Sequence, residues 1–143
     1  MPAAARVDPL KNSNFKVEIA GMKSANFSEC TGLDSEVEII EYREGGDDIV
    51  RKLPGLPRYG NITLKRGVTD SLELYQWHRN LLRGQIDRRD GAVILLDNAL
   101  KPVTRWNFFN AFPQRYEGPD LNAKSNDVAI ETLVLCCERI ERE

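Results

Sequence analysis

The sequence predicts a mainly β domain: two packed antiparallel sheets, a sandwich or partly open barrel, with one α-helix on the flank. Strand-like alternation with a period of two recurs along the chain. Only residues 70–84 carry the spacing of an amphipathic helix. Clusters of Gly, Pro, Asn and Asp separate the runs, as in domains built from short strands, and the tally is about seven strands.

The first strand is marked by Phe15, Val17 and Ile19 alternating with Lys16 and Glu18, after a small-residue stretch over 1–12 that reads as a flexible tail ahead of a single domain over 13–143. Gly21 and Lys23-Ser24 make the first turn. A short strand is expected around Phe27, followed by Thr31-Gly32-Leu33, where glycine permits a bulge or sharp bend. Glu36, Val37, Glu38 and Ile39 alternate again and continue through Ile40, Glu41 and Tyr42. The slip at Ile39-Ile40 points to a bulge or a second buried face. Ile62 and Leu64 then alternate with Asn61, Thr63 and Lys65, so the simplest topology is one long hairpin with an elaborated tip.

The helix is expected to start at Asp70, with Glu73 three residues on completing a D-x-x-E capping box, and to close at a left-handed Gly84. At 100° per residue Leu74, Tyr75, Trp77, His78, Leu81 and Leu82 share one arc, opposite Glu73, Gln76, Arg79, Asn80 and Arg83. Beyond the turn at Asp87-Arg88-Arg89-Asp90-Gly91, AVILLD is a nearly continuous apolar run, the pattern of a buried strand. Trp106, Phe108 and Phe112 are expected on one face of the next strand, with Arg105, Asn107 and Phe109 on the other. Pro113 and Gly118-Pro119 bracket a turn-rich connection, and VAIETLVLCCERI reads as one last strand crossing the whole sheet.

Composition excludes several classes of function. With 20 basic and 22 acidic residues the net charge of −2 supplies no counterion-release drive for specific nucleic-acid binding and no polybasic membrane patch. The opening MPAAARVDPL has no apolar signal core and no apolar run is long enough for a membrane anchor, so assembly in the cytoplasm is expected. Cys30 stands far from the adjacent Cys136 and Cys137, which would point to opposite faces of a strand; reduced thiols acting as small hydrophobes follow, not zinc ligands.

No catalytic, metal or cofactor constellation emerges. His78, the lone histidine, lies in the apolar arc of the helix and reads as structural. Glu36 and Glu38 share a strand face that could serve acid–base chemistry, with Tyr42 nearby, in a small β-barrel enzyme or ligand-binding domain; with no nucleophile beside them a solvated face is the better account. The glycines of EGG and PGLPRYG follow no phosphate-binding order.

Residues 44–67, EGGDDIVRKLPGLPRYGNITLKRG, are oversized for a turn and suited to reaching another molecule. Arg51, Lys52, Arg58, Lys65 and Arg66 mix there with Glu44, Asp47 and Asp48, which favours a self-complementary protein contact over a nucleic-acid arm.

Phe15 to Ile19, the FSECTGL turn, the EYREGG…LPGLPRYGNITLKRG segment, the helix LELYQWHRNLL and the closing YEGPDLNAKSNDVAIETL occur in one order. In that order the chain resembles the inner tube proteins of contractile phage tails and bacterial contractile injection systems, related in fold to the type VI secretion tube protein. The resemblance implies two small sheets with a flanking helix, and hexameric rings stacked into a hollow tube inside a sheath. Strands of six copies would close one barrel around the lumen and leave no free edge. It further implies partners: other copies of the chain, sheath protein, baseplate and tube-terminating proteins, and a payload in the lumen, protein in an injection system or DNA in a phage. On that frame Gly45, Gly46, Asp47, Asp48, Arg51, Lys52, Pro54, Leu56, Pro57, Arg58 and Tyr59 become the ring-stacking hairpin. Glu36, Glu38, Asn61, Thr63 and Lys65 become lumen lining, and Glu73, Gln76, Arg79, Asn80 and Arg83 the sheath-facing side of the helix. No cofactor is implied.

Overall fold

In the computed structural model, residues 14–22 and 26–143 are described. The expected tail over 1–12 and the Lys23-Ser24 turn lie outside them. The elements are β1 (Phe15–Ile19), β2 (Glu29–Thr31), β3 (Ser35–Tyr42), β4 (Arg51–Tyr59), β5 (Ile62–Gly67), α1 (Glu73–Leu82), β6 (Arg89–Leu96), β7 (Pro102–Glu117), β8 (Ile130–Cys136) and β9 (Arg139–Arg142). All strand pairings among the described residues are antiparallel.

The 16-residue β7 organises the body because it belongs to two sheets. Its first part pairs with β6 and β9, and β1 extends that sheet beyond β6. Its last part pairs with β8, followed by β5 and β2. The change of partner falls at Asn110, which takes a left-handed φ of 53°. Its N–H donates to Asp90 Oδ1 and its Nδ2 to Glu138 Oε2, both at 2.9 Å, which fixes the bend. Asparagine tolerates that conformation better than a β-branched residue would.

The bend corrects three expectations. Phe108 is fully buried, but beyond Asn110 the alternation shifts so that Ala111 and Pro113 point inward. Phe112 therefore leaves the face of Trp106 and Phe108 and lies under the Arg88 guanidinium, 5.3 Å from the ring centroid. The strand also continues through Pro113 to Glu117. The last run is two strands: β8 follows one sheet and β9 the other, with the break at Cys137-Glu138 where β7 bends.

One core joins both sheets and the helix. Val17, Ile19, Ile62, Leu64, Leu74, Trp77, Val93, Phe108, Leu133 and Leu135 form it. As AVILLD suggests, Ala92, Val93 and Ile94 are all buried, so β6 is covered on both faces.

The helix packs on β7 and is shorter than its sequence spacing. Its first intrahelical bond runs from Gln76 N–H to Leu72 O, so Leu72 stands at the cap without a side-chain bond and the Asp70–Glu73 capping box does not form. Gly84 does close the helix, with φ +87° and its N–H donating to Leu81 O at 3.0 Å. Leu74 and Trp77 are buried, whereas Tyr75 and Leu82, together at one edge of the apolar arc, are exposed. His78 is structural: its Nδ1 donates to Pro113 O at 2.9 Å, fixing the tautomer because a carbonyl can only accept.

The FSECTGL segment owes its turn to Gly32. Its φ is +91°, and a Cβ there would stand 1.9 Å from Asn61 O. Gly32→Ala is expected to destabilise the fold by at least the ~1–2 kcal/mol of a left-handed alanine, read as a lower urea midpoint.

Candidate assembly surfaces

Strands β3 and β4 form a separate two-stranded ribbon. The expected hairpin between residues 36–42 and 62–65 does not form, because β5 pairs with β8 and β2. The chain instead turns back at 43–50 and β4 returns along β3, so the PGLP cluster lies within a strand. That strand has one neighbour, so a missing proline N–H on its free side costs little. The irregularity falls between Val37 and Ile39, one step before the expected slip; Gly55 and Leu56 of β4 together oppose Glu38.

Of the stretch read as a docking tip, only Gly45, Gly46, Asp47 and Asp48 lie at the turn. There Asp47 N–H donates to Glu44 O, and Asp47 holds Arg43 through its carbonyl and Arg51 through its carboxylate. Arg51, Lys52, Pro54, Leu56, Pro57, Arg58 and Tyr59 belong to β4. The register puts Glu36, Ile40 and Tyr42 on one face with Arg58, Leu53 and Arg51, while Val37 and Ile39 share the other with Pro57 and Pro54. Arg58 also pairs with Glu38.

Both faces are wet. Val37, Ile39, Ile40, Tyr42, Leu53 and Leu56 are all exposed. A lone two-stranded ribbon is marginal in water, and an apolar concentration of this kind marks a protein contact. Burying each aliphatic side chain would contribute about 1.5–3 kcal/mol before the cost of association.

The residues read as lumen lining fall in two places. Thr63 and Lys65 lie on the side of β5 opposite the buried Ile62, Leu64 and Arg66. The register continues their rows through Thr31, Glu29, Val134 and Thr132. Lys65 Nζ stands 3.6 Å from Glu29. Asn61 donates to Gln114 Oε1 at 2.7 Å and shares a cleft with Glu36, Asp34, Arg58 and Tyr59 at the root of the ribbon. Glu36 and Glu38 thus belong to the ribbon and Thr63 and Lys65 to the sheet, rather than to one hairpin. Tyr42 lies six positions along β3 from Glu36, away from that cleft.

On α1, Gln76 and Arg83 are exposed, and Glu73, Arg79 and Asn80 are half-buried. Arg79 lies over Tyr75 at 5.9 Å. Leu72, Leu82 and Ile86 are exposed beside them, so this surface is more apolar than the helical spacing suggests.

One cluster escaped the sequence reading, which placed Arg66 in a basic arm. Arg66 and Glu131 are both buried and pair at 2.5 Å, with Tyr116 donating to the other Glu131 oxygen at 2.6 Å. The signal was available: Arg66 is in phase with Ile62 and Leu64, and Glu131 with Leu133 and Leu135, so opposite charges occupy the buried phase of two strands. Burial and the bond to Glu131 push the Tyr116 hydroxyl up to about 12.

Burial likewise pushes the Cys30 and Cys137 thiols up to about 11 from 9. An acid whose pKa is higher folded than unfolded stabilises the fold below its unfolded pKa and loses that contribution as pH rises through the folded value. Thermal melts should therefore hold up to pH 9 and fall between pH 9 and 12. Cys30→Ala/Cys137→Ala should flatten the early part of that fall.

Among the described residues, a pair of sheets sharing one bent strand, one flanking helix and a projecting ribbon make up a tail tube fold. The family model for the T4-like virus tail tube protein gp19 matches residues 11–141, and the chain belongs to that family. Among solved structures, a chain of the sheath-tube complex of an extracellular contractile injection system, PVC, in the extended state is 31% identical, with a TM-score of 0.86 over 94% of this chain and 91% of that one. A chain of the anti-feeding prophage tube-terminating cap is 29% identical, with a TM-score of 0.88 over 99% and 95%. Hcp1 from Flavobacterium johnsoniae, at 18% identity and a TM-score of 0.56 over 90% and 93%, shares the fold. Comparison with curated protein sequences gives no match.

Proposed function

We propose that the protein is the structural subunit of the inner tube of a contractile injection system, forming hexameric rings that stack around a hollow lumen. The observation that carries the reading is the β3–β4 ribbon, apolar on surfaces that no other described element covers. Similarity to chains in a sheath-tube complex, a tube terminator and a baseplate supports sheath, terminator and baseplate proteins as its partners. The outward rows of β2, β5 and β8, with Thr63 and Lys65, line the lumen together with the Glu36, Glu38 and Asn61 region. The exposed side of α1, from Glu73 to Arg83, meets the sheath. The stretch from Gly45 to Tyr59 makes the contact between rings. Subunits assemble in the cytoplasm, and sheath contraction drives the tube and its payload through a target envelope; no residue performs chemistry.

Electron microscopy of the purified chain tests this. Sixfold rings and stacks are expected, and a chain that stays monomeric at high concentration, even with baseplate or terminator partners added, would sink the proposal. The viral family model favours a second reading, a phage tail tube conducting DNA. Nuclease-protected DNA in purified particles would select it.

A further inference from the structure

The turn between β6 and β7 carries a leucine that neither local sterics nor the core accounts for. Asp97 N–H donates to Lys101 O at 3.0 Å and Leu100 N–H to Asp97 O at 2.9 Å, which closes a loop over Asn98, Ala99 and Leu100. Asp97 Oδ1 accepts the N–H groups of Ala99 and Lys101, both at 2.9 Å. A hairpin loop of this length takes a left-handed residue at its last position, the usual place of glycine. Here that residue is Leu100, with a φ of 61°. The other left-handed positions among the described residues are four glycines and Asn110, whose N–H and side chain are both bonded. Leu100 has no polar group to hold it and gains little by burial, for it is 67% exposed. A strained, solvated leucine at the end of a hairpin marks a contact made outside the chain.

We propose that Leu100 anchors the subunit to a second copy, seating in the cleft on the outer face of that copy's sheet of β1, β6 and β7. The inference rests on the tube reading and adds a contact that does not involve the ribbon. The cleft measures about 690 Å³; its apolar lining includes Met22, Ala92 and Phe109, and its charged lining is Glu18, Asp90 and Glu143 against Arg105. Ala92 lies in the phase of β6 opposite the core residue Val93, so the cleft opens away from the core. Its excess of carboxylates suits a cation, and the exposed Lys101 follows Leu100 in the turn, where Asp97 is engaged with backbone N–H groups. The subunit cannot fill its own cleft. From Ala92 to Asp97 the chain runs about 16 Å at roughly 3.3 Å per residue, with β6 fixed between β1 and β7. Turn and cleft are different patches, a heterologous pair that one copy offers to the next.

Leu100→Gly tests the anchor through two readouts that the loss of a merely structural leucine would move together. Melting temperatures of unassembled subunits should rise by a few degrees, because glycine adopts a φ of 61° without strain. The concentration needed for assembly, read by sedimentation and electron microscopy, should rise about tenfold or more as the apolar contact is lost. Assembly at the concentration of the unsubstituted chain, or a lower melting temperature, would overturn the inference. Ala99→Cys with Ala20→Cys tests the acceptor; both positions are exposed, one beside Leu100 and one lining the cleft. A bismaleimide should link copies within assembled particles, and linking no greater than in the chain with only Cys30, Cys136 and Cys137 overturns the inference as well. Failure of the unsubstituted chain to form rings counts instead against the tube reading.

Discussion

Glu131→Ala is expected to destabilise the subunit by about 3–5 kcal/mol, the usual cost of leaving a buried charge without its partner. Arg66 and Glu131 are each over nine-tenths buried. Without Glu131 the Arg66 guanidinium would be left buried beside the gap. Its Nε bond to Glu131 is the one this carboxylate provides, while Tyr116 loses its acceptor at the same time. The pair ties β5 to β8, and Tyr116 brings in β7 and, through an edge-on contact with Tyr75 at 5.4 Å, the helix. Arg66→Met/Glu131→Leu should recover most of the loss, since apolar replacement of a whole buried pair is often neutral. Urea titration followed by circular dichroism reads both effects. A shift below about 1 kcal/mol for the single variant would place the pair among exposed ion pairs.

Removing residues 35–59 and joining Asp34 to Gly60 is expected to leave a folded subunit that forms no tube. Gly60 N–H already donates to Asp34 O at 3.0 Å, so the join spans a gap the native chain closes. Of the ribbon side chains only Tyr59 packs against the core, as a partly buried neighbour, so the melting temperature should fall by only a few degrees. A smaller deletion over 46–57 would leave β3 without a partner and expose a long free edge. Electron microscopy of the excised variant decides the matter, because tubes of normal length without the ribbon would remove it from the stacking contact.

Much of the body was legible because its strands alternate in phase with burial. Val17 and Ile19, Ile62 and Leu64, and Leu133 and Leu135 point inward as their spacing requires, and the apolar run of β6 is covered on both faces. Gly32 and Gly84 sit at left-handed positions, which favour glycine on local sterics. Misreadings fall where a distant partner overrides a local pattern. PGLP reads as part of a hairpin tip, yet pairing with β3 makes it a strand. Asp70 and Glu73 have the spacing of a capping box, yet packing on β7 starts the helix at Glu73. The aromatic face from Trp106 to Phe112 is broken by one left-handed residue, Asn110, whose bend depends on Asp90 and Glu138.

The candidate surfaces divide the same way. That part of residues 44–67 reaches outward could be read from their length, prolines and mixed charge, but 62–67 form the core strand β5 and only the part up to Tyr59 projects. Composition, alternation and turn residues are local properties, and by themselves they determined a mainly β chain with one helix and a projecting arm. Only the tertiary structure decided that the arm is a ribbon separate from β5, that Arg66 faces Glu131 instead of solvent, and that the apolar side chains of the ribbon stay exposed. Those facts depend on register and on which strands become neighbours, and strand pairing is set by the global burial of the core rather than by any window of sequence.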